Sequence, residues 1–151
     1  MAGVQVQQTV QGLDALADRL NRLASAQYDE LLDQMGATVE SQTRRRLSEE
    51  KTSPEGDPWA PLSAQWQARK AGRSSGGLLE DQGHLVDSIA FTVEGSEVHI
   101  GTPLVYGAIH QMGGEPVGKA IPARPYLGLS PDNEQELQEV IGAWLDQLTH
   151  P

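Results

Sequence analysis

Residues 88–102 read SIAFTVEGSEVHIGT, and the class of fold turns on them. Ile89, Phe91 and Val93 alternate with smaller or polar residues, Glu94-Gly95-Ser96 has turn chemistry, and Val98 and Ile100 resume the alternation. Because successive side chains on a strand face opposite ways, this pattern predicts two antiparallel strands joined as a hairpin. A hairpin alone is marginal in water and needs further strands or a helix against its apolar face. The segment from Ala120 to Leu127 is the expected source of an additional strand, and Leu104 to Gln111 that of a short helix or a bent edge.

Helical periodicity flanks the hairpin on both sides. Leu13, Leu16, Leu20 and Leu23 recur at helical spacing, and the phase resumes through Leu31, Leu32, Met35 and Val39 toward Leu47. Asp18, Arg22, Asp29, Asp33 and Glu40 fall on the opposite face, so this is one long or once-broken amphipathic helix, with Gly36 and Ala24-Ser25-Ala26 as the expected breaks. Toward the C-terminus, Ser130 is placed to cap a helix, Pro131 suits its first position, and Asp132 and Glu134 suit its positive end. Leu137, Val140, Ile141, Trp144, Leu145 and Leu148 form its apolar stripe, with Trp144 read as core. The expected fold is therefore α+β, a small antiparallel sheet (hairpin 88–101 plus an additional strand) packed against a long N-terminal helix and a C-terminal helix.

With 151 residues, 38% of them hydrophobic, the chain suits a single domain spanning 1–151. No run approaches the roughly 20 apolar residues of a membrane span, and the first residues, MAGVQVQQTVQG, lack the charged and apolar parts of a secretion signal. These features predict a protein made in the cytoplasm, with no membrane partner. The absence of cysteine excludes disulfides, thiol nucleophiles and Cys-containing zinc sites.

A formal charge of −10 argues against general affinity for nucleic acid. The charge is unevenly spread. Residues 44–73 carry seven basic side chains (Arg44, Arg45, Arg46, Lys51, Arg69, Lys70 and Arg73) against four acidic ones, which makes that segment +3 and the remainder −13. Residues 130–151 hold five carboxylates and no Lys or Arg. Such polarity suits head-to-tail contact between copies, and equally two solvated faces.

Residues 51–77 are rich in Pro, Gly and Ser and read as a long loop holding a short helix over 64–71, capped by Ser63. Trp59 and Trp66 are expected to anchor this loop in the edge of the core. Gly72-Arg73-Ser74-Ser75-Gly76 satisfies the G-x-S-x-G pattern of a hydrolase nucleophile, but it follows a polar segment where that motif requires a buried strand. His84, His99 and His110 with Glu80 or Asp81 lack any tight metal-ligand spacing, so neither a metal nor a cofactor is expected. His99 should project from the opposite face of its strand to Val98 and Ile100. His110 is expected to donate from its ring to a backbone carbonyl in the glycine-rich loop beside it.

That loop, YGAIHQMGGEPVGKAIPARPYLG at 106–128, crowds two tyrosines, a histidine, an arginine and three prolines around five glycines. It could be a site of chemistry or a docking surface. Several elements occur in order: GDPWAPL at 56–62, LEDQGHLVDSI at 79–89, IGT at 100–102, YGAIHQMGG at 106–114 and IPARPYLG at 121–128. Together they resemble the phage virion morphogenesis family, which includes tail-completion proteins of Mu-like and P2-like phages, and the likeness runs from about residue 40 to the C-terminus. Gln82 and Gly107 depart from the family pattern, where threonine and alanine are more usual.

The resemblance implies a non-enzymatic structural protein of a tailed bacteriophage, acting in tail completion and head–tail joining and residing in the virion at the head–tail joint or tail terminus. It further implies a homo-oligomer, a ring of six copies at the neck or tail terminus, contacting neighbouring neck and tail proteins and passing DNA without specific binding. In that setting the 106–128 loop reads as an interface. Pro116, Pro122 and Pro125 stiffen it, Gly113, Gly114, Gly118 and Gly128 permit tight turns, and Tyr106, Arg124 and Tyr126 are the side chains interfaces favour. The candidate interface residues are Arg44, Arg45, Arg46, Tyr106, His110, Gln111, Arg124, Pro125 and Tyr126. Arg124 is expected to pair with Glu134, Glu136 or Glu139 of a neighbouring copy. The acidic balance suits a DNA conduit, since a negative lumen repels phosphate. Two alternatives from other classes are a small hydrolase using Ser74 or His110, and a nonviral adaptor that meets an acidic partner through Arg44, Arg45 and Arg46.

Overall fold

The computed structural model describes residues 12–72, 77–80 and 82–150. Helix α1 (Leu13–Ala24) is followed by α2 (Asp29–Arg45), which continues into a π-helical turn at Arg46–Glu50. The long loop then carries α3 (Ala64–Lys70), and α4 (His84–Ser88) leads into strands β1 (Ala90–Glu94) and β2 (Glu97–Gly101). Helix α5 (Val105–Met112), a 3-10 turn at Glu115–Val117 and α6 (Pro131–Thr149) complete the order. The fold is α+β, with one two-stranded antiparallel sheet among the described residues.

The hairpin forms where the alternation places it. Phe91 pairs with Ile100 and Val93 with Val98, while Glu94 faces Glu97 across a two-residue loop, Gly95-Ser96, whose glycine has φ 61°. Phe91, Val93, Val98 and Ile100 share the half-buried face. Helix α2 lies against that face. The predicted N-terminal helix is broken once, at Ser25–Tyr28, and runs unbroken through Gly36. Gly36 is a contact point and not a break: a Cβ there would sit 2.2 Å from the Phe91 ring, so the bare backbone lets helix and strand approach.

The additional strand expected from Ala120 to Leu127 does not form. Pro122 and Pro125 have no N–H to give a ladder, and the amides of Ile121, Arg124, Tyr126 and Leu127 are engaged elsewhere. The Arg124 amide donates to the His110 carbonyl at 2.7 Å, and the Tyr126 and Leu127 amides both donate to the Gln111 carboxamide oxygen at 2.9 Å. The segment is a strap laid over α5.

Helix α6 begins with a reciprocal cap. The Ser130 hydroxyl accepts from the Asn133 amide, and the Asn133 side chain accepts from the Ser130 amide. Leu137 and Trp144 are buried, Val140, Ile141 and Leu148 are half-buried, and Leu145 is exposed. The Trp144 ring lies 5.6 Å from that of Tyr28, in the link between α1 and α2. The main core gathers Leu47, Trp59, Leu85, Ile89 and Tyr126, flanked by Leu78, Leu79, Ile100, Leu104 and Leu127. Trp59 anchors the long loop there, as expected. Trp66 does not: it is 58% exposed, because α3 stands off the core with none of its residues buried.

Candidate functional site

The residues singled out in the sequence meet where the strap, the long loop and the ends of α2 and α6 come together. The Arg46 side chain is the centre of this junction. It is fully buried, and its Nη1 donates to the carbonyls of Tyr126 at 3.0 Å and Gly128 at 2.8 Å, while Nη2 donates to Asn133 Oδ1. One guanidinium thus ties the end of α2 to the strap and to the cap of α6. Its planar set of donors suits three acceptors in fixed directions. Burial lowers its pKa, opposed by the charges of Glu50 and Glu55.

Arg124 does the same work one step along the strap. Nε donates to Ala60 O at 2.8 Å and Nη2 to Pro61 O at 3.0 Å. Trp59 Nε1 returns a bond to Pro125 O at 2.9 Å, closing the strap onto the 59–61 segment from both sides. Gln111 clamps the other edge, accepting from the two strap amides and donating from Nε2 to Leu127 O at 3.3 Å. The buried Tyr126 hydroxyl donates to Gly107 O at 3.0 Å, and burial raises its pKa. Gly107 is required for that contact, since a Cβ would stand 2.5 Å from the Thr102 methyl and 2.9 Å from the Tyr126 oxygen.

Several expectations are corrected by this geometry. Arg46, Arg124 and Tyr126 lie inside the subunit, where their side chains join segments of one chain. Arg124 is engaged by carbonyls rather than by a carboxylate, because the strap folds it inward against the 59–61 loop. Gln111 and Pro125 likewise serve the internal clamp. His110 contributes its backbone carbonyl to the strap, whereas its ring Nδ1 is buried without a hydrogen-bond partner. The ring instead meets Tyr106 edge-on, at 5.9 Å between centroids. Burial first, and the nearby Arg124 charge second, lower the His110 pKa. Of the candidates on α5, Tyr106 is the exposed one, at 41%.

The arginine triplet is not a common basic face. Arg44 bonds Glu40 at 2.9 Å and the Ile89 carbonyl at 2.8 Å, and Arg45 bonds Glu50 at 3.2 Å and Glu136 at 3.0 Å. With Arg46 turned inward, the three point in three directions. Hydrogen bonding to Glu50 is the main cause that raises the Arg45 pKa, and the bond from Gln42 is the main cause that lowers that of Glu136.

Residues that sequence reasoning passed over are Gln42 and Asn133. The buried Gln42 amide donates to Asn133 O at 3.2 Å and Glu136 Oε2 at 2.6 Å, locking α2 to α6. The S-x-x-N spacing at 130–133 foreshadows the Asn133 cap, but nothing local marks Gln42. The Ser74 motif lies outside the described residues. His84 and His99 are exposed, with His99 beside Glu97 at 3.3 Å, and no group of three metal-ligating side chains converges among the described residues. No described helix is long and apolar enough to cross a membrane.

The comparisons agree with the ordered motifs. The chain is 34% identical over 113 residues to the "Putative capsid assembly protein G" of Escherichia phage Mu, covering 71% of this chain and 72% of that protein. It is 26% identical over 137 residues to the Mu-like prophage FluMu G protein 1 of Haemophilus influenzae, covering 89% and 91%. No solved structure matches. Residues 5–146 match the phage virion morphogenesis family, which encompasses the strap, its clamps and both flanking helices, and the chain belongs to that family.

Proposed function

We propose that this protein is a non-enzymatic subunit of a ring that completes the tail and joins it to the head. Membership of a virion morphogenesis family supports a structural or assembly role in a phage. The observation that carries the finer reading is the leucine row of α1. Leu13, Leu16 and Leu20 are each more than half exposed, and no residue of that helix is buried. A helix this short is marginal alone in water and owes its stability to covering its apolar face. Leucines left facing solvent in one subunit fit a protein that is covered by neighbours when assembled.

The strap and its clamps are consistent with that role. They rigidify a loop-rich surface through backbone carbonyls, and a rigid surface loses little entropy on docking. The net charge of −10 favours free passage of DNA through a ring lumen, because it offers the phosphates little to hold.

The test is a phage carrying a disrupted copy of the gene, examined by electron microscopy with and without the protein supplied in trans. Separate full heads and unjoined tails, restored to complete particles by the supplied protein, are the expected result. Absent or misshapen heads would shift the role to capsid assembly, as the name of the Mu relative has it. Infectious particles formed without the protein would remove both readings.

A further inference from the structure

Helix α3 gains little from packing in the isolated subunit, where its tethers among the described residues are the Ser63 cap and a bond from Lys70 Nζ to the Gly77 carbonyl. None of its seven residues is buried, and helices far shorter than about 12 residues do not persist alone in water. Ser63 caps it by accepting the Trp66 amide at 3.4 Å, a long bond that offsets little. Its sequence, AQWQARK, has no acidic residue. Trp66 is 58% exposed with the Arg69 guanidinium 5.6 Å over its ring, and neither Arg69 nor Lys70 forms an ion pair among the described residues. Tryptophan and arginine together in the open are the side chains that most often anchor protein interfaces.

The complementary surface is on the same chain. Asp132, Glu139 and Asp146 recur every seven residues along α6 and so line one face, on a helix with no Lys or Arg. Gly142 and Ala143 lie between them on that face, with open space above the Gly142 backbone. Glu136 is different, since Arg45 and Gln42 already occupy it, whereas Glu139 accepts only an exposed bond from Gln135 Nε2 at 3.3 Å and meets no cation among the described residues.

We infer that α3 of one copy docks on the outer face of α6 in the next copy. Trp66 lies over the flat Gly142–Ala143 step, and Arg69 and Lys70 meet Glu139 and Asp146. The two surfaces differ, so the contact is heterologous, the kind that propagates around a ring. The inference rests on the ring reading for its partner, a second copy, and for nothing else.

The chain has no cysteine, which makes the test direct in the full-length protein. Lys70→Cys protein mixed with Glu139→Cys protein is expected to form an intermolecular disulfide under mild oxidation, and neither variant alone should do so to a comparable extent. In sedimentation, Arg69→Glu with Lys70→Glu should weaken association by on the order of a hundredfold, the scale of like charges brought together across an interface. Reversing Glu139 and Asp146 to lysine in the same chain should restore it. If the α3 reversal disturbs folding, Trp66→Ala, which alters an exposed side chain, must still weaken association. A wild-type protein that stays monomeric would overturn the ring reading and this contact together. A wild-type oligomer indifferent to these changes, or a mixture that does not cross-link, would overturn this contact alone.

Discussion

Replacing Arg46 with methionine tests whether the junction of α2, strap and α6 holds the subunit together. Methionine fills most of the space but donates nothing, leaving Tyr126 O buried without its partner, while Asn133 Oδ1 keeps only the Ser130 amide and Gly128 O lies where water can replace the lost donor. The one stranded buried acceptor costs about 1–3 kcal/mol, and the bonds lost at the other two acceptors about 0.5–1.5 kcal/mol each. Sparing the guanidinium its desolvation offsets part of this, leaving a net loss of about 2–4 kcal/mol. For a chain of this size that is a fall in Tm of roughly 4–16 °C. Urea and thermal unfolding followed by circular dichroism measure it. Fluorescence adds a local readout, because Trp59 is bonded to Pro125 O and should shift to the red as the strap loosens. Arg46→Lys should recover less than half of the loss, since one ammonium cannot reach three acceptors in fixed directions. A methionine variant melting within about 2 °C of the wild type, with unshifted emission, would refute the account.

Arg124→Glu should destabilise the subunit itself, melting early in purified form, because it removes two donors and turns a carboxylate toward Ala60 O and Pro61 O. Gly36→Ala should cost on the order of 1–3 kcal/mol in urea unfolding through overlap with Phe91, and Phe91→Leu in the same chain should restore part of it. Trp144→Ala should cost about 3–5 kcal/mol by the same measurement, as it empties the contact with Tyr28. The His110 pKa is lowered on folding, so its contribution is complete above the ordinary value of 6.5 and is lost as the pH falls through the folded value. His110→Gln should flatten that limb of a stability–pH curve. The separate loss expected below about 4.5, where Glu80 and Glu136 with their lowered values become protonated, should remain.

Elements whose causes are local could be read from the chain before it folds. The hairpin register follows from alternation around Gly95, α6 starts where Ser130, Pro131 and Asn133 allow it to, and the break after Ala24 falls where apolar periodicity lapses. The ordered motifs were equally legible, and with them the family. Tertiary structure alone decided what the motif residues do. Arg46 bonds carbonyls 80 and 82 residues away and Arg124 reaches back 64, so no window of sequence holds both partners. An arginine between alanine and proline has the same local appearance whether its fork meets a neighbour's carboxylate or its own chain's carbonyls. The proline strap resembled a strand for a similar reason: its apolar alternation is a local property, whereas the destination of its amides depends on where α5 carries Gln111. Trp59 and Trp66, seven residues apart in one loop, were indistinguishable until the strap supplied a carbonyl to the first and left the second in solvent.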